Sequence, residues 1–313
     1  MSATAASTEY LPIGAIPFLP RDRGLASSTM ETADSPPTAG STRRSDRENG
    51  ATVILPIPAS GRVFRRSRRV RLGDVDATGR LRLDAVARYL QDVATDDSDD
   101  LGSLEARAWV VRRTLIEQRS APRNSEDLDV VTFCSGMGGR WAERRVSISG
   151  DRGGSVEAVT LWVHLDPVSG RPRTLPADFV ATYSEPSAGR EVTARQLHEP
   201  VVPGDEEVHT MPWWPRVTDL DVLDHVNNAV AWEVVEQTLE RVRTRELVAL
   251  DPGGPVRASV EFRDAIDHDA VVASMPLTVA YRVVDDVVHM ALWSTDAGTV
   301  HVTAEIAVLE RRG

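Results

Sequence analysis

Residues 219–240 read DLDVLDHVNNAVAWEVVEQTLE. An acidic loop runs into His225 and the pair Asn227-Asn228, then into a stretch of helical period. Trp232, Val235, Leu239 and Val242 fall at i, i+3, i+7 and i+10, one face of a helix. Asp224 stands where an N-cap belongs, with Asn227 three residues on. The same steps occur earlier in the chain. Arg71-x-x-Asp74-x-Asp76 matches Arg216-x-x-Asp219-x-Asp221 at an offset of 216 − 71 = 145 residues. That offset lays another apolar stripe, Leu83, Val86, Ala87, Leu90, Val93 and Ala94, over the first. It also brings residues 109–117 onto 254–262. Internal repetition decides the fold. Each copy is a strand, a helix and several antiparallel strands. The expected class is α+β, with two antiparallel sheets, each wrapping one long helix, joined side by side.

Outward from the two helices, the boundaries follow composition. Residues 1–58 are rich in Ser, Thr, Ala, Pro, Gly and Arg, without sustained period, and are expected to form a disordered arm. The apolar patch at Ile54, Leu55 and Ile57 is its one candidate for packing on the body. Residues 59–183 make the first half, 184–212 a loop-like linker with Pro186, Pro200, Pro203 and Gly204, and 213–313 the second half. An opening strand is expected over 62–71, where six arginines occur without an acidic residue. The first helix ends near the Asp96–Asp100 run and Gly102. Strands follow at 108–117, 128–134, 142–149 and 156–165, and in the second half at 256–263, 277–284, 287–294 and 299–309.

Bulk properties narrow the function. Hydrophobic residues make up 41% of the chain, enough for a packed core, yet no apolar run reaches the length of about 18 that a span needs. No secretory signal is evident, and Cys134 is the only cysteine, which excludes an internal disulfide and a cysteine-cluster metal site. A cytoplasmic setting is expected. The net charge of −11 argues against general nucleic-acid binding. All 36 basic residues are arginine, so a phosphate-loop lysine, a Schiff-base lysine and a Ser-Lys dyad are impossible.

Chemistry concentrates where the second helix begins. Asp221 and His225 would stand at its positive end, where backbone N–H groups lack intrahelical partners. A carbonyl laid on those amides, near His225 and Val226, would be polarised, with a carboxylate and an imidazole at hand for a proton or a water. An Asp/Asn-rich loop with a surface histidine is the plain alternative. The equivalent of His225 in the first half is Arg80, which argues against a purely structural need for histidine.

The pattern D-x-x-x-H-V-N-N-x-x-x-W, formed by Asp221, His225, Val226, Asn227, Asn228 and Trp232, resembles the signature of hot-dog-fold thioesterases, in particular the acyl-ACP thioesterases of plants and bacteria. With the repeat, the likeness covers roughly residues 60–310 and implies a tandem hot-dog: an N-terminal half forming the acyl-chain pocket and a C-terminal half carrying the catalytic loop. It implies hydrolysis of fatty acyl thioesters on acyl carrier protein or coenzyme A, in fatty acid biosynthesis, with no metal or other cofactor. Asp221 would attack or activate water, His225 would assist proton transfer or bond the thioester, and Asn227 would orient one of them. Two family positions differ. The asparagine two residues before the histidine is Leu223, and the later glutamate falls on Ala265, leaving adjacent Asp264 as a substitute candidate. Asp224 replaces the glycine of the simpler single hot-dog loop. These losses keep open a degenerate module that binds an acyl ligand without turnover. A phosphatase reading of Asp74-Val-Asp76-Ala-Thr78 lacks the buried apolar strand it needs. Arg62–Arg71, Arg112, Arg113 and Arg140–Arg145 are candidates for a positive patch facing an acidic carrier. Trp109, Trp162 and Trp232 are expected in the core. The repeat makes the chain its own pseudo-dimer, so a monomer or a homodimer is expected.

Overall fold

The computed structural model describes residues 52–102, 108–166, 168–245, 254–294 and 298–308. Most of the N-terminal arm, residues 1–51, lies outside them. The first half runs β1 (Phe64–Arg69), a 3₁₀ turn (Leu72–Asp74), α1 (Leu83–Asp100), β2 (Ala108–Ser120), β3 (Asp127–Met137), β4 (Trp141–Gly150), β5 (Ser155–Leu165) and α2 (Ala177–Ser187). The second runs β6 (His209–Trp213), a 3₁₀ turn (Val217–Asp219), α3 (Val230–Thr244), β7 (Val256–Phe262), α4 (His268–Val272), β8 (Leu277–Val284), β9 (Val287–Ser294) and β10 (Thr299–Val308). The two 3₁₀ turns keep the 145-residue offset.

The strand order is β1-β3-β4-β5-β2-β7-β10-β9-β8-β6. Under the repeat each strand maps onto its mirror position in that order, so the two half-sheets are related by a pseudo-two-fold axis. They are joined edge to edge. Strands β2 and β7 pair antiparallel from Arg113↔Glu261 to Gln118↔Val256, which makes one continuous ten-stranded sheet. This pairing covers the two edges that separate halves would leave open.

Helices α1 and α3 lie together on one face. Their apolar stripes and the alternate residues of the strands form one continuous core. It includes Leu83, Val86 and Leu90 of α1, Trp232, Val235 and Leu239 of α3, and Val146, Ala158, Val260 and Ala304 of the sheet. Helix α2 was not anticipated, because Pro186 and a weak stripe hide it. It packs Phe179 and Tyr183 beside Trp109, Cys134 and Ala142.

The stretch 184–212 begins inside α2 and ends inside β6. Between them it is an irregular strap over the opposite face, whose backbone is held by side chains of the sheet. Trp141 Nε1 donates to Val192 O at 2.7 Å, Arg113 to Arg195 O at 3.1 Å, and Trp293 Nε1 to Val201 O at 2.8 Å. Leu197 N donates to Glu261 Oε1 at 2.8 Å. The end of the arm is held the same way, with Leu55 O accepting from Arg145 and Thr52 O from Arg257.

The arginines of β1 do not form a bare positive face. Arg65 meets Asp129, Arg69 meets Asp127, Arg66 meets Asp96, and Arg68 meets Asp92. Arg62 bonds Asp97 at 2.7 Å and Asp100 at 2.9 Å. The carboxylates at the negative end of α1 oppose the helix dipole, and these arginines offset that cost. The fully buried Asp97 is held by Arg62, Arg144 and the Tyr183 hydroxyl. The part of the expected carrier-docking patch at residues 62–69 is therefore largely neutralised from within.

Candidate active site

The two loops that precede α1 and α3 share one backbone. Asp76 N donates to Arg80 O at 2.9 Å and Gly79 N to Asp76 O at 3.0 Å. At the matching positions Asp221 N donates to His225 O at 2.9 Å and Asp224 N to Asp221 O at 3.0 Å. Arg82 N reaches Asp74 O at 3.1 Å as Asn227 N reaches Asp219 O at 2.8 Å. Each turn needs one residue with a left-handed backbone. Gly79 supplies it at φ +78°, and Asp224 at φ +61°. Aspartate tolerates that region better than most residues with a Cβ. Asp224 is thus part of a turn rather than an N-cap, and its Oδ1 lies 2.7 Å from His268 Nδ1.

The helix starts later than its sequence suggests. Asn227 performs the capping: its Oδ1 accepts from Ala229 N at 2.8 Å and its carbonyl from Val230 N at 2.9 Å. Asp221 and His225 stand on the turn before it. The Val226 amide, expected to face a substrate carbonyl, is bonded to Ile266 O at 2.8 Å. The Asn228 amide has no acceptor among the described residues, and Asn228 lines a cavity.

The side chains separate the loops. In the first, Asp76 Oδ1 accepts from Thr78 N at 2.8 Å and Thr78 Oγ1 at 2.7 Å, and Oδ2 from Arg80 Nε at 3.0 Å. Burial alone would raise the Asp76 pKa, but these bonds hold it below the ordinary carboxylate value. Arg80, 4% exposed, forks onto Glu236 of α3 at 3.0 and 2.7 Å. In the second loop Asp221 Oδ1 accepts only from Leu223 N at 2.8 Å. The Asp221 Oδ2 atom and the exposed His225 ring have no hydrogen-bond partner among the described residues.

The helices exchange contacts unequally. Glu236 of α3 accepts from Leu83 N, at the start of α1, at 2.7 Å. Its repeat counterpart, Gln91 of α1, reaches the Asn227 side chain instead, at 3.1 Å. Leu83 corresponds to Asn228. One amide is therefore filled by a carboxylate oxygen, and its counterpart is unfilled.

Between α1, α3 and the β5-β2-β7 junction lies a cavity of about 250 Å³, its open mouth included. Its surface is mostly apolar, with Leu90, Val111, Trp162, Trp232 and Phe262 on its walls, and Gln91, Thr114, Thr160 and Asn228 are the polar residues that also line it. Residues 61–183 match the acyl-ACP thioesterase N-terminal domain, and residues 204–306 match its C-terminal domain. The chain belongs to the acyl-ACP thioesterase family. It is a thioester hydrolase. This thioesterase is 32% identical over 240 residues, 76% of its chain and 90% of the other, to an uncharacterized protein of Mycobacterium tuberculosis strain H37Rv. A candidate oleoyl thioesterase from Lactobacillus plantarum superposes with a TM-score of 0.63 at 21% identity, covering 81% of this chain and 99% of that one. The 12:0-ACP thioesterase from Umbellularia californica does so with 0.60 at 19%, covering 78% and 96%. At these identities the structural likeness concerns the fold.

Other residues of the thioesterase fall into place around this frame. Strand β7 ends at Phe262, and Asp264 follows it, exposed, its carbonyl 3.3 Å from His301 Nδ1. No hydrogen bond or ion pair among the described residues joins Asp264 to Asp221 or His225. Trp109 packs beside α2 and Trp232 lies in the main core, as expected, while Trp162 lines the cavity, which Trp232 also borders. Sequence reading missed Trp162 because a large aromatic in a strand looks the same on a core face and on a cavity wall. Burial pushes the Cys134 thiol up to about 11, so it is no nucleophile. Arg112 is the extra residue of a β-bulge in β2. It donates to Phe262 O at 2.7 Å and, although Glu261 acts on it through space, forms no direct ion pair with a carboxylate among the described residues.

Proposed function

We propose that this thioesterase hydrolyses acyl-ACP, and secondarily acyl-CoA, releasing free carboxylic acids in cytosolic lipid synthesis. The observation that carries the reading is the Asn228 backbone N–H, which has no acceptor among the described residues and belongs to a residue that lines the cavity. Its counterpart at Leu83 binds an anionic oxygen from Glu236. The thioester carbonyl would take the equivalent place over Asn228, where developing negative charge meets a preorganised donor. Asp221 draws a proton from a water whose oxygen adds to the carbonyl carbon. As the C–S bond breaks, the proton passes by way of His225 to the leaving sulfur. If Asp221 attacks the carbon instead, water then cleaves the resulting anhydride and releases the acid. Asn227 keeps the α3 end in position. One donor and one base are each worth roughly two to three decades of rate, and a thioester asks for little more. Asp264 is a reserve candidate, should substrate bring residues 263–266 towards the loop.

A thiol-release assay over acyl-ACP and acyl-CoA of graded chain length tests this. The expected result is turnover with ACP substrates preferred. Acyl-ACP binding without thiol release at any length would overturn it.

A further inference from the structure

Trp162 and Thr160 lie two residues apart on β5, on the face towards α1 and α3, and both line the cavity. Trp162 Nε1 is buried and has no hydrogen-bond partner among the described residues. An indole nitrogen can only donate, so this N–H lacks an acceptor. Beside it, Thr160 is 4% exposed and Thr114 equally so, and their hydroxyl oxygens are 3.4 Å apart. Two hydroxyls hold two protons and this bond uses one, which leaves a second buried donor without an assigned acceptor. Buried donors left in this way are rare, and a cavity wall is where a ligand can supply what the protein does not. The cavity is also small. Even with its open mouth counted it is narrow, so an acyl chain must widen it and press against these groups. A plain methylene chain would seal both donors away from any acceptor, whereas an oxygen on the chain would satisfy them.

We propose that the preferred acyl group is short to medium in length and carries an oxygen substituent, a hydroxyl or a keto group, within its first few carbons, read by Trp162 and the Thr114–Thr160 pair. The inference deepens the thioester-hydrolase reading by naming its substrate class. Its location follows from the cavity: Asn228 marks the carbonyl end, and β5 forms the wall past it.

The test compares saturated acyl-CoA with hydroxyacyl-CoA and oxoacyl-CoA of equal length, the oxygen moved from the β to the δ carbon. The readout is the ratio of kcat/KM between oxygenated and saturated members. We expect a ratio of about tenfold or more at one position, the effect of one buried hydrogen bond. It should fall close to one in Trp162→Phe and be partly kept in Trp162→His, which retains a ring N–H. A ratio near one at every position in the wild type overturns the proposal. So does a ratio unchanged in Trp162→Phe while both rates fall, because the indole would then be serving the pantetheine arm or the thioester carbonyl common to all substrates. A binding arm, calorimetric titration with the matching free acids, separates this from the function itself. Preferential binding of the oxygenated acid without hydrolysis would overturn the thioesterase assignment and support the pocket reading. Equal binding of both acids would overturn the pocket reading even if hydrolysis is brisk.

Discussion

The loop at 74–83 and the loop at 219–228 have one backbone and two chemistries. In the first, the groups at the matched positions are engaged: Asp76 by Thr78 and Arg80, Arg80 by Glu236, and the Leu83 amide by the same glutamate. In the second, one Asp221 oxygen, the His225 ring and the Asn228 backbone N–H have no partner among the described residues. A repeat that has closed one of its loops with ion pairs holds the other copy in register at little cost to its reactive groups. The first loop is tied by ion pairs and the second presents the groups proposed to react, although both hang from the same helix pair.

The largest effect should fall on the open loop. Asp221→Asn and His225→Ala should each lower kcat/KM for thioester release about 10²–10³-fold, while Asp76→Asn stays within a few-fold of wild type. Equal losses in both loops would remove the distinction. The reverse pattern is expected for folding. Arg80→Ala leaves the partly buried Glu236 with the Leu83 amide but no cation, so urea unfolding should report a loss of about 3 kcal/mol, against less than about 0.5 for the exposed His225→Ala. If His225→Ala destabilises as strongly, the second loop is held by contacts like those of the first. A smaller effect comes from acid. Burial would raise the pKa of Asp76 and Asp84, but bonds from Thr78 and Arg80, and from Arg82 and Arg88, hold both below 3.8. Their stabilisation is complete above that value and is lost as pH falls through the lower folded values. Asp76→Asn should flatten part of the acid limb of a stability–pH curve, and an unchanged limb would show that other carboxylates govern it.

Much of this was legible beforehand, for particular reasons. Val256, Ala258 and Val260 alternate with polar residues, and β8 and β9 lie within clear apolar runs, so strand boundaries were readable. The carboxylate, the imidazole and the matching loops were visible through spacing alone. The start of α3 was misread because Asp224 is a favoured N-cap type that serves here as the left-handed corner of a turn. Helices α2 and α4 are short or Pro-interrupted, and neither has a long stripe. The arginines of β1 read as a docking patch because their partners, Asp92, Asp96, Asp97, Asp127 and Asp129, are distant in the chain.

By itself the sequence determined the repeat, the order of the strands and the two long helices, the family resemblance, and the residue types proposed to meet a thioester. Those follow from periodicity and spacing, which are local properties of the chain. The tertiary structure decided the rest: that β2 and β7 fuse the halves into one sheet, that the Val226 amide is taken and the Asn228 amide is not, and that Trp162 faces a cavity with its N–H unanswered. Whether a donor is free depends on what remote segments bring within about 3 Å of it, and no local pattern encodes that distance.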